Sequence, residues 1–306
     1  MRRMRSLFES SSARWVRYDR YELKKAEDGL LYVTPTASAK PVIYDPLKDS
    51  ERMVLDALSV GLLSMNRKPE VQVRDAVMDF VTRYGLLGLM TALPTTALFM
   101  DYESVYLPKN RFIKEESMAT DDYLSRFFPF DRLEVRKNGT EYEWDIQGNR
   151  DMMALALTFS DYPVAVSMEF QRQYAERYDW VAQQFKDWAF TLVGKELYYE
   201  DYDRLDEAAR DLYRKGMAAF DGNAPSYHIE LRDCPTIVWD FHSLSLNIQM
   251  TFACMLADSA RPLRLCRQCA KAFVASRPSA VFCGSECKNR HNVYKSRAKQ
   301  KENQGQ

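Results

Sequence analysis

Four cysteines near the C-terminal end constrain this sequence more than any other feature. They follow the pattern Cys266-x2-Cys269-x13-Cys283-x3-Cys287 and so fall within 22 residues. Short-spaced pairs of this kind bring thiolates two at a time to a tetrahedral zinc ion, with Zn–S distances of about 2.3 Å. We therefore predict one structural Zn²⁺ ion bound by all four thiolates, which leaves no open position for a catalytic water. Redox-active thiols, or a chance clustering of cysteines, are the alternative interpretations.

The sequence around the cysteines predicts a small zinc module of treble-clef or ribbon type. The 13 residues between the two pairs allow a hairpin, with Phe273-Val274 on one arm and Val281-Phe282 on the other. Such a segment is too small to form its own hydrophobic core, so the metal would supply most of its folding free energy. His291 lies one helical turn after Cys287 and could be mistaken for a ligand, but we expect it to pack or to form a hydrogen bond.

The net charge of zero hides a strong asymmetry along the chain. Residues 261–306 contain 11 Lys and Arg against 2 Asp and Glu, which is a net charge of +9. The other 260 residues contain 32 against 41, which is a net charge of −9. A compact basic tail on an acidic body predicts contact with a polyanion. The alternative is that the tail docks on its own acidic body.

The basic residues are arranged in a way that suits a nucleic acid. In a helix that follows the last cysteine, Cys287, His291, Tyr294 and Ala298 share the face that we expect to pack on the hairpin. Cations line both flanks of this helix and amides fill its outer face, a pattern suited to phosphates and base edges. The predicted nucleic-acid-binding residues are Arg264, Arg267, Lys271, Arg277, Lys288, Asn289, Arg290, Asn292, Lys295, Arg297 and Lys299.

The same segment resembles the CGNR-type zinc-finger proteins, a group of bacterial proteins regarded as transcriptional regulators. The motifs that carry the resemblance follow an apolar helix; they are Leu265-Cys266, Phe273, Phe282-Cys283-Gly284-Ser285 and Cys287-Lys288-Asn289-Arg290. Lys288 stands where the family has glycine, and the first cysteine pair is more closely spaced than in many members. The resemblance, which runs from Trp239 to Lys299, implies four zinc-binding cysteines and a DNA-binding role, with a sensing or regulatory domain before them.

The residues before the cysteine cluster predict a mainly helical α+β body with small β elements. The chain is 28% charged and 46% hydrophobic, which is typical of a globular protein. We divide it into a β-rich N-terminal segment packed on the body (1–48), a mainly helical α+β domain (49–260) and the basic zinc-binding module (261–306). Cys234 and Cys254 stand in apolar surroundings, so we expect buried thiols.

Periodicity and turn signals predict the individual elements of the body. Strands are predicted at Trp15–Tyr18 and Leu30–Val33, with a turn at Ala26–Gly29 between them. A hairpin is predicted over Leu133–Gln147 with Asn138-Gly139 at its turn. A further strand is predicted at Tyr227–Leu231. Helices are predicted from Asp49, after Pro69, over Val164–Val193, over Leu205–Phe220, and from Trp239 to Ala257.

The sequence contains no catalytic motif, so we expect no enzymatic activity. A Gly-rich phosphate loop, a Gly-x-Ser-x-Gly elbow and a His-Glu-x-x-His pair are all absent, and His228 and His242 are expected to be structural. The longest uncharged stretch, Tyr84 to Met100, is too short for a membrane span and contains Pro94. The N-terminal residues lack the apolar core of a secretory signal, so we expect a cytoplasmic protein.

The predicted function is that of a zinc-dependent DNA-binding transcriptional regulator, with duplex DNA as the favoured partner. One small module makes few contacts, so sequence specificity would require a homodimer or a protein partner. Two alternatives stay open. The module could bind RNA or another protein, or the body could be an enzyme whose pocket the sequence does not reveal.

Overall fold

The computed structural model describes residues 11–12, 15–90, 103–130, 136–138, 141–143, 172–220, 222–241 and 243–304. Within these ranges the chain is a mixed helix-and-strand protein with more helix than strand, and a cysteine cluster lies at its C-terminal end. This agrees with the predicted α+β class. Among the described helices, none combines the length and the apolarity that crossing a membrane requires.

Helices form most of the described regular structure. They are α1 (Ser50–Met65), α2 (Glu70–Tyr84), α3 (Thr120–Phe127), α4 (Tyr178–Glu200), α5 (Glu207–Ala218), α6 (Leu244–Ala257) and α7 (Ser285–Gln304). The first two confirm the helices predicted after Asp49 and Pro69. The predicted helix over Leu205–Phe220 is confirmed as α5, whose N-cap Asp206 accepts a hydrogen bond from Ala209 N–H.

The strands are short and form several small sheets. They are β1 (Ser11–Ser12), β2 (Trp15–Tyr18), β3 (Tyr21–Lys25), β4 (Leu31–Pro35), β5 (Pro41–Tyr44), β6 (Ser104–Tyr106), β7 (Ser117–Ala119), β8 (Arg136–Asn138), β9 (Glu141–Glu143), β10 (Glu176–Arg177), β11 (Ser226–Leu231), β12 (Pro235–Asp240), β13 (Leu263–Leu265) and β14 (Ala272–Val274). The predicted turn at Ala26–Gly29 is present, with Ala26 N–H donating to Leu30 O. It joins β3 to β4, however, whereas β2 pairs with β5.

The main hydrophobic core forms where α1 packs against α4. Met53 and Leu58 of α1 are buried there, together with Val181 and Phe185 of α4. The Phe185 ring also contacts Phe80 of α2, with 4.7 Å between ring centroids. Three helices therefore share one core, as their apolar stripes require.

The close contact of α1 with α4 depends on Gly61. A Cβ atom at this position would lie 2.0 Å from the carbonyl oxygen of Phe185, so Gly61→Ala forces the two helices apart. We expect the free energy of unfolding to fall by about 2–3 kcal/mol. Gly194→Ala is the matched control, because nothing lies within 4 Å of a Cβ there, and it should gain about 0.5–1 kcal/mol. Urea denaturation measures both variants, and equal stabilities would contradict this packing.

The long helix α4 begins later than its periodicity predicts. The prediction was Val164–Val193, but α4 begins at Tyr178 and continues to Glu200. Residues 164–171 of the prediction lie outside the described residues. Glu176–Arg177 forms the short strand β10, which pairs with β4. A partner strand distant in sequence thus fixes an extended conformation that the helical spacing of the aromatic residues could not reveal.

The buried side chain of Glu176 connects this strand to the loop that follows α2. Its carboxylate accepts hydrogen bonds from Leu87 N–H at 2.8 Å, from Leu89 N–H at 2.7 Å and from the Tyr174 hydroxyl at 3.1 Å. Burial outweighs these hydrogen bonds and raises the pKa of Glu176 to about 7. The proton is therefore held more tightly in the folded chain than in the unfolded chain.

Glu176 should make the stability of the protein depend on pH. The stabilising contribution of its protonated form to the free energy of unfolding is fully present below the ordinary pKa of 4.5 and is lost as the pH rises to about 7. The free energy lost over this range is about 3 kcal/mol. Glu176→Gln removes this titration. We therefore expect the difference in unfolding free energy between the wild type and Glu176→Gln to change by that amount across this pH range. Stability curves that stay parallel would contradict the buried, protonated Glu176.

Two predictions near the β11–β12 hairpin are wrong. β11 confirms the strand predicted at Tyr227–Leu231, but Trp239 belongs to its antiparallel partner β12 and not to the next helix. That helix, α6, begins only at Leu244, after the N-cap Ser243. Cys234 lies in the turn between the strands and is exposed, because residues 231–235 at this end of the hairpin are all exposed. Cys254 is half-buried.

Two other predictions fall partly or wholly outside the described residues. β8 and β9 pair as an antiparallel hairpin, as predicted, while the rest of Leu133–Gln147 is not described. His242 also lies outside the described residues. His228 is in strand β11, and its Nδ1 atom lies 2.6 Å from Asp240 Oδ2.

Candidate metal centre

A β-hairpin carries the first two cysteines. β13 and β14 pair antiparallel, and the turn between them contains Cys266 and Cys269. Cys266 N–H donates to Lys271 O at 2.9 Å, and Ala270 N–H donates to Cys266 O at 2.8 Å. The φ of Ala270 is +57°, in the left-handed region, which reverses the chain within this turn. The two thiols are therefore fixed by a tight, hydrogen-bonded turn.

This hairpin differs from the one predicted from the sequence. The prediction paired Phe273-Val274 with Val281-Phe282, whereas β14 pairs with β13, the strand before the first cysteine. Burial explains the difference, because Leu263 of β13 is fully buried in the main core. Residues 281–282 form no strand. Instead, Val281 O accepts a hydrogen bond from Arg267 N–H at 3.0 Å, so this segment returns to the cysteine turn.

The second pair of cysteines lies at the start of α7. Cys283 precedes the helix by two residues, and Cys287 is in its first turn. Cys283 N–H donates to Cys266 Sγ at 3.4 Å, which connects the start of the helix to the hairpin turn. Two elements that are separate in sequence therefore bring one cysteine pair each to the same place.

The four sulfur atoms form a cluster that fits a tetrahedral metal ion. All four Sγ atoms lie within 4.8 Å of one another. The Sγ–Sγ distance is 3.7 Å for Cys269 and Cys283, and 3.5 Å for Cys283 and Cys287. A tetrahedral site with Zn–S bonds of about 2.3 Å places its sulfur atoms about 3.8 Å apart. All six cysteines of the chain are free thiols. The cluster is thus consistent with a metal site made by the four predicted cysteines.

Backbone amides favour ionisation of Cys266. Burial opposes its ionisation, but the N–H groups of Cys283, Cys269 and Gln268 outweigh burial and lower the pKa of Cys266 to about 6. Burial, and then the neighbouring thiols, raise the pKa of Cys283. The fold alone therefore favours one thiolate, and a bound cation would be needed to keep all four deprotonated together.

His291 lies beside the cluster and packs on an aromatic ring. Its imidazole contacts the Phe282 ring, with 5.0 Å between ring centroids, and the metal-ligand cluster contains only the cysteines.

The predicted packing face is wrong further along α7. Tyr294 is 55% exposed and Ala298 is exposed as well, because strands of three residues are too short to cover more than the first turns of the helix.

The last turns of α4 hold the hairpin against the body. Lys195 Nζ donates to Leu263 O at 2.9 Å and forms an ion pair with Glu196 at 2.6 Å. Arg267, in the cysteine turn, forms an ion pair with Glu200 at 3.5 Å. The basic tail is therefore docked on the acidic body in part, at the hairpin.

The predicted nucleic-acid-binding residues are mostly exposed. Arg264 is half-buried in β13, and the side chain of Lys299 lies outside the described residues. In the part of α7 whose side chains are described, none of the lysines and arginines forms an ion pair with an acidic group of the body. The exposed members of the set are Arg267, Lys271, Arg277, Lys288, Asn289, Arg290, Asn292, Lys295 and Arg297.

A cleft in the body is the feature that the sequence did not indicate. Its volume is about 530 Å³, and α4, α5, α6 and the loop at residues 109–111 line it. Arg111 and Asp187 form an ion pair at this cleft, and the buried Trp188 lines its wall. Its residues come from several separate segments, so no spacing in the sequence could have marked it.

Fold and site together define a mixed helix-and-strand protein with a C-terminal four-cysteine centre. Comparisons with known protein families, with curated proteins and with solved structures find no match for this chain. The resemblance to CGNR-type zinc-finger proteins therefore stays a prediction.

Proposed function

We propose that this chain is a zinc-dependent DNA-binding protein that acts as a transcriptional regulator. The observation that carries the proposal is a four-sulfur cluster at the start of an exposed basic helix. Four thiolates at tetrahedral spacing favour zinc over the hard cations, which prefer oxygen. A hairpin turn and the start of a helix would each supply two ligands, and this arrangement supports a zinc module of treble-clef type.

The charge distribution supports DNA as the partner. The acidic groups of the body pair with Arg261 and Arg267 near the hairpin, while the cations of α7 remain exposed to solvent. The major groove of DNA admits one α-helix, and its phosphates attract cations on both flanks of that helix. We expect Lys288, Arg290 and Arg297 to contact phosphates, and Asn289 and Asn292 to face the base edges.

The body would regulate this binding. The cleft lies beside Asp187, Trp188 and Thr191 of α4, and the same helix holds the hairpin through Lys195 two turns later. A small molecule in the cleft would contact the helix that positions the zinc module. This supports a sensing role for the body, in a cytoplasmic protein without enzymatic activity of its own.

The experiment that tests the proposal is a salt series of DNA binding by the zinc-loaded full chain. Affinity for random duplex DNA should fall by about 10²–10³-fold between 50 and 200 mM salt, because each neutralised phosphate releases a counterion. Single-stranded DNA and RNA of equal length are the comparison ligands. Tighter binding to single strands would overturn the choice of duplex DNA, and indifference to all three would overturn the nucleic-acid proposal.

A further inference from the structure

Strand β11 presents an apolar edge to solvent. It is the outer strand of the sheet β1-β12-β11, and no other described strand pairs with its outer side. Three alternate side chains on one face are exposed, with Tyr227 at 62%, Ile229 at 65% and Leu231 at 84%. Ile237 of β12 extends the same face and is 52% exposed. An edge strand of this kind can pair with another chain.

The proline at the start of β12 shows which backbone groups face that edge. Leu231 lies opposite Pro235, and proline has no N–H, so this pair cannot exchange two hydrogen bonds. Arg232 N–H donates to Cys234 O instead. Because hydrogen-bonded and non-hydrogen-bonded pairs alternate along an antiparallel ladder, the N–H and C=O groups of Tyr227, Ile229 and Leu231 point away from β12. All three residues thus direct their backbone groups to the outer edge.

We propose that β11 pairs antiparallel with β11 of a second copy of this chain, about a twofold axis at Ile229. This register places Ile229 opposite Ile229 of the partner subunit, and Tyr227 opposite Leu231 of the partner subunit. All the outward backbone groups of these residues then find a partner, with two hydrogen bonds at each of three residue pairs. The sheets of the two copies become one continuous sheet.

The side chains on both faces select this register. On the apolar face, Tyr227, Ile229 and Leu231 of the two copies cover one another. On the opposite face, His228 lies across from Glu230 of the partner subunit, twice by symmetry. His228 Nδ1 already contacts Asp240, and Glu230 already forms an ion pair with Arg232 of its own copy. In the dimer, the Nε2 atom of His228 becomes a second partner for the Glu230 carboxylate of the partner subunit. A register shifted by two residues would place His228 opposite His228 of the partner subunit, or Glu230 opposite Glu230 of the partner subunit. Neither pair of like side chains stabilises the contact, and the two glutamates repel each other.

The size of this contact sets the expected affinity. One six-residue strand per copy buries less than the roughly 1,600 Å² of a standard interface. We therefore expect a dissociation constant in the micromolar range, with dimers that form and separate readily. The pairing lies outside the zinc module, so it does not depend on the proposed function. Where that function holds, the dimer brings two basic helices to one DNA molecule.

Sedimentation of the full chain over a concentration series tests the proposal. The wild type should pass from monomer to dimer as its concentration rises to about 100 μM. Ile229→Lys and Ile229→Glu each place like charges at the twofold axis and should weaken the dimer about tenfold or more. Val71→Lys changes a similarly exposed apolar side chain (62% exposed) on α2 and should leave self-association unchanged.

A mixture of Ile229→Lys and Ile229→Glu tests the proposed pairing most directly. Lysine then faces glutamate across the axis, so the mixture should form heterodimers at a concentration at which each variant alone is mostly monomeric. Circular dichroism establishes that both variants are folded. A wild type that stays monomeric, or single variants that dimerise as the wild type does, would overturn the pairing. A mixture that stays monomeric would also overturn it. The Cys283→Ser variant should still dimerise, which separates this result from any failure of the zinc or DNA proposal.

Discussion

Cys283→Ser is expected to abolish metal binding and to unfold the module that follows β13. The Cys283 sulfur lies 3.7 Å from Cys269 Sγ and 3.5 Å from Cys287 Sγ, so its loss removes the sulfur atom that connects these two thiols within the cluster. Structural zinc ions contribute about 10–16 kcal/mol of apparent binding free energy in small modules. No core within β14 and α7 is large enough to replace that amount.

Hydrogen exchange and metal analysis together measure this effect. We expect amides from Cys266 to the middle of α7 to lose protection in Cys283→Ser, while those of α1 and α4 keep theirs. β13 should remain partly protected, because Leu263 is buried in the main core. Cys234→Ser is the matched control, since Cys234 is an exposed thiol outside the cluster. A Cys283→Ser protein that keeps stoichiometric metal and an ordered module would contradict the four-cysteine assignment.

The double substitution Lys288→Glu with Arg297→Glu is expected to abolish most of the DNA affinity while the metal stays bound. Both side chains are exposed on α7, and neither belongs to the sulfur cluster. Replacing two phosphate contacts with two repulsive charges should weaken binding by about 10²–10³-fold at low salt. The slope of log affinity against log salt should fall in magnitude by about 2.

A control of equal charge distinguishes a local surface from net charge. Lys25→Glu with Lys68→Glu makes the same change in net charge at two exposed lysines of the body, and it should leave the salt slope unchanged. Fluorescence anisotropy with a labelled duplex measures both double variants. If the α7 variant binds as the wild type does, or if both variants lose affinity equally, the helix is not the DNA-binding surface.

Local patterns predict well wherever one element alone determines the outcome. The apolar periodicity of α1 and α2 was sufficient, because each helix buries a continuous stripe in the same core. The four cysteines could likewise be assigned to one site from their spacing alone. In both cases the whole pattern lies within a short stretch of the chain, so it can be recognised without knowledge of a distant partner.

Predictions fail where a distant partner determines the local conformation. β10 interrupts the expected helix because β4, more than 140 residues earlier, supplies its hydrogen bonds. The hairpin at the cysteine cluster uses β13 and not residues 281–282, because Leu263 is buried in the core of the body. Trp239 joins a strand because β11 pairs with it. Five separate segments of the chain line the cleft beside Asp187, and no local sequence pattern indicates such an arrangement.

The central claim is that Cys266, Cys269, Cys283 and Cys287 hold one zinc ion. Native mass spectrometry of the purified full chain, combined with elemental analysis, tests it most directly. We predict one zinc ion per chain, with four protons fewer on the thiols than in the metal-free protein, and its removal by a chelator should expose all four thiols to alkylation. A purified chain without zinc that binds none when zinc is added, or one whose cluster cysteines form disulfides under reducing conditions, would contradict the account.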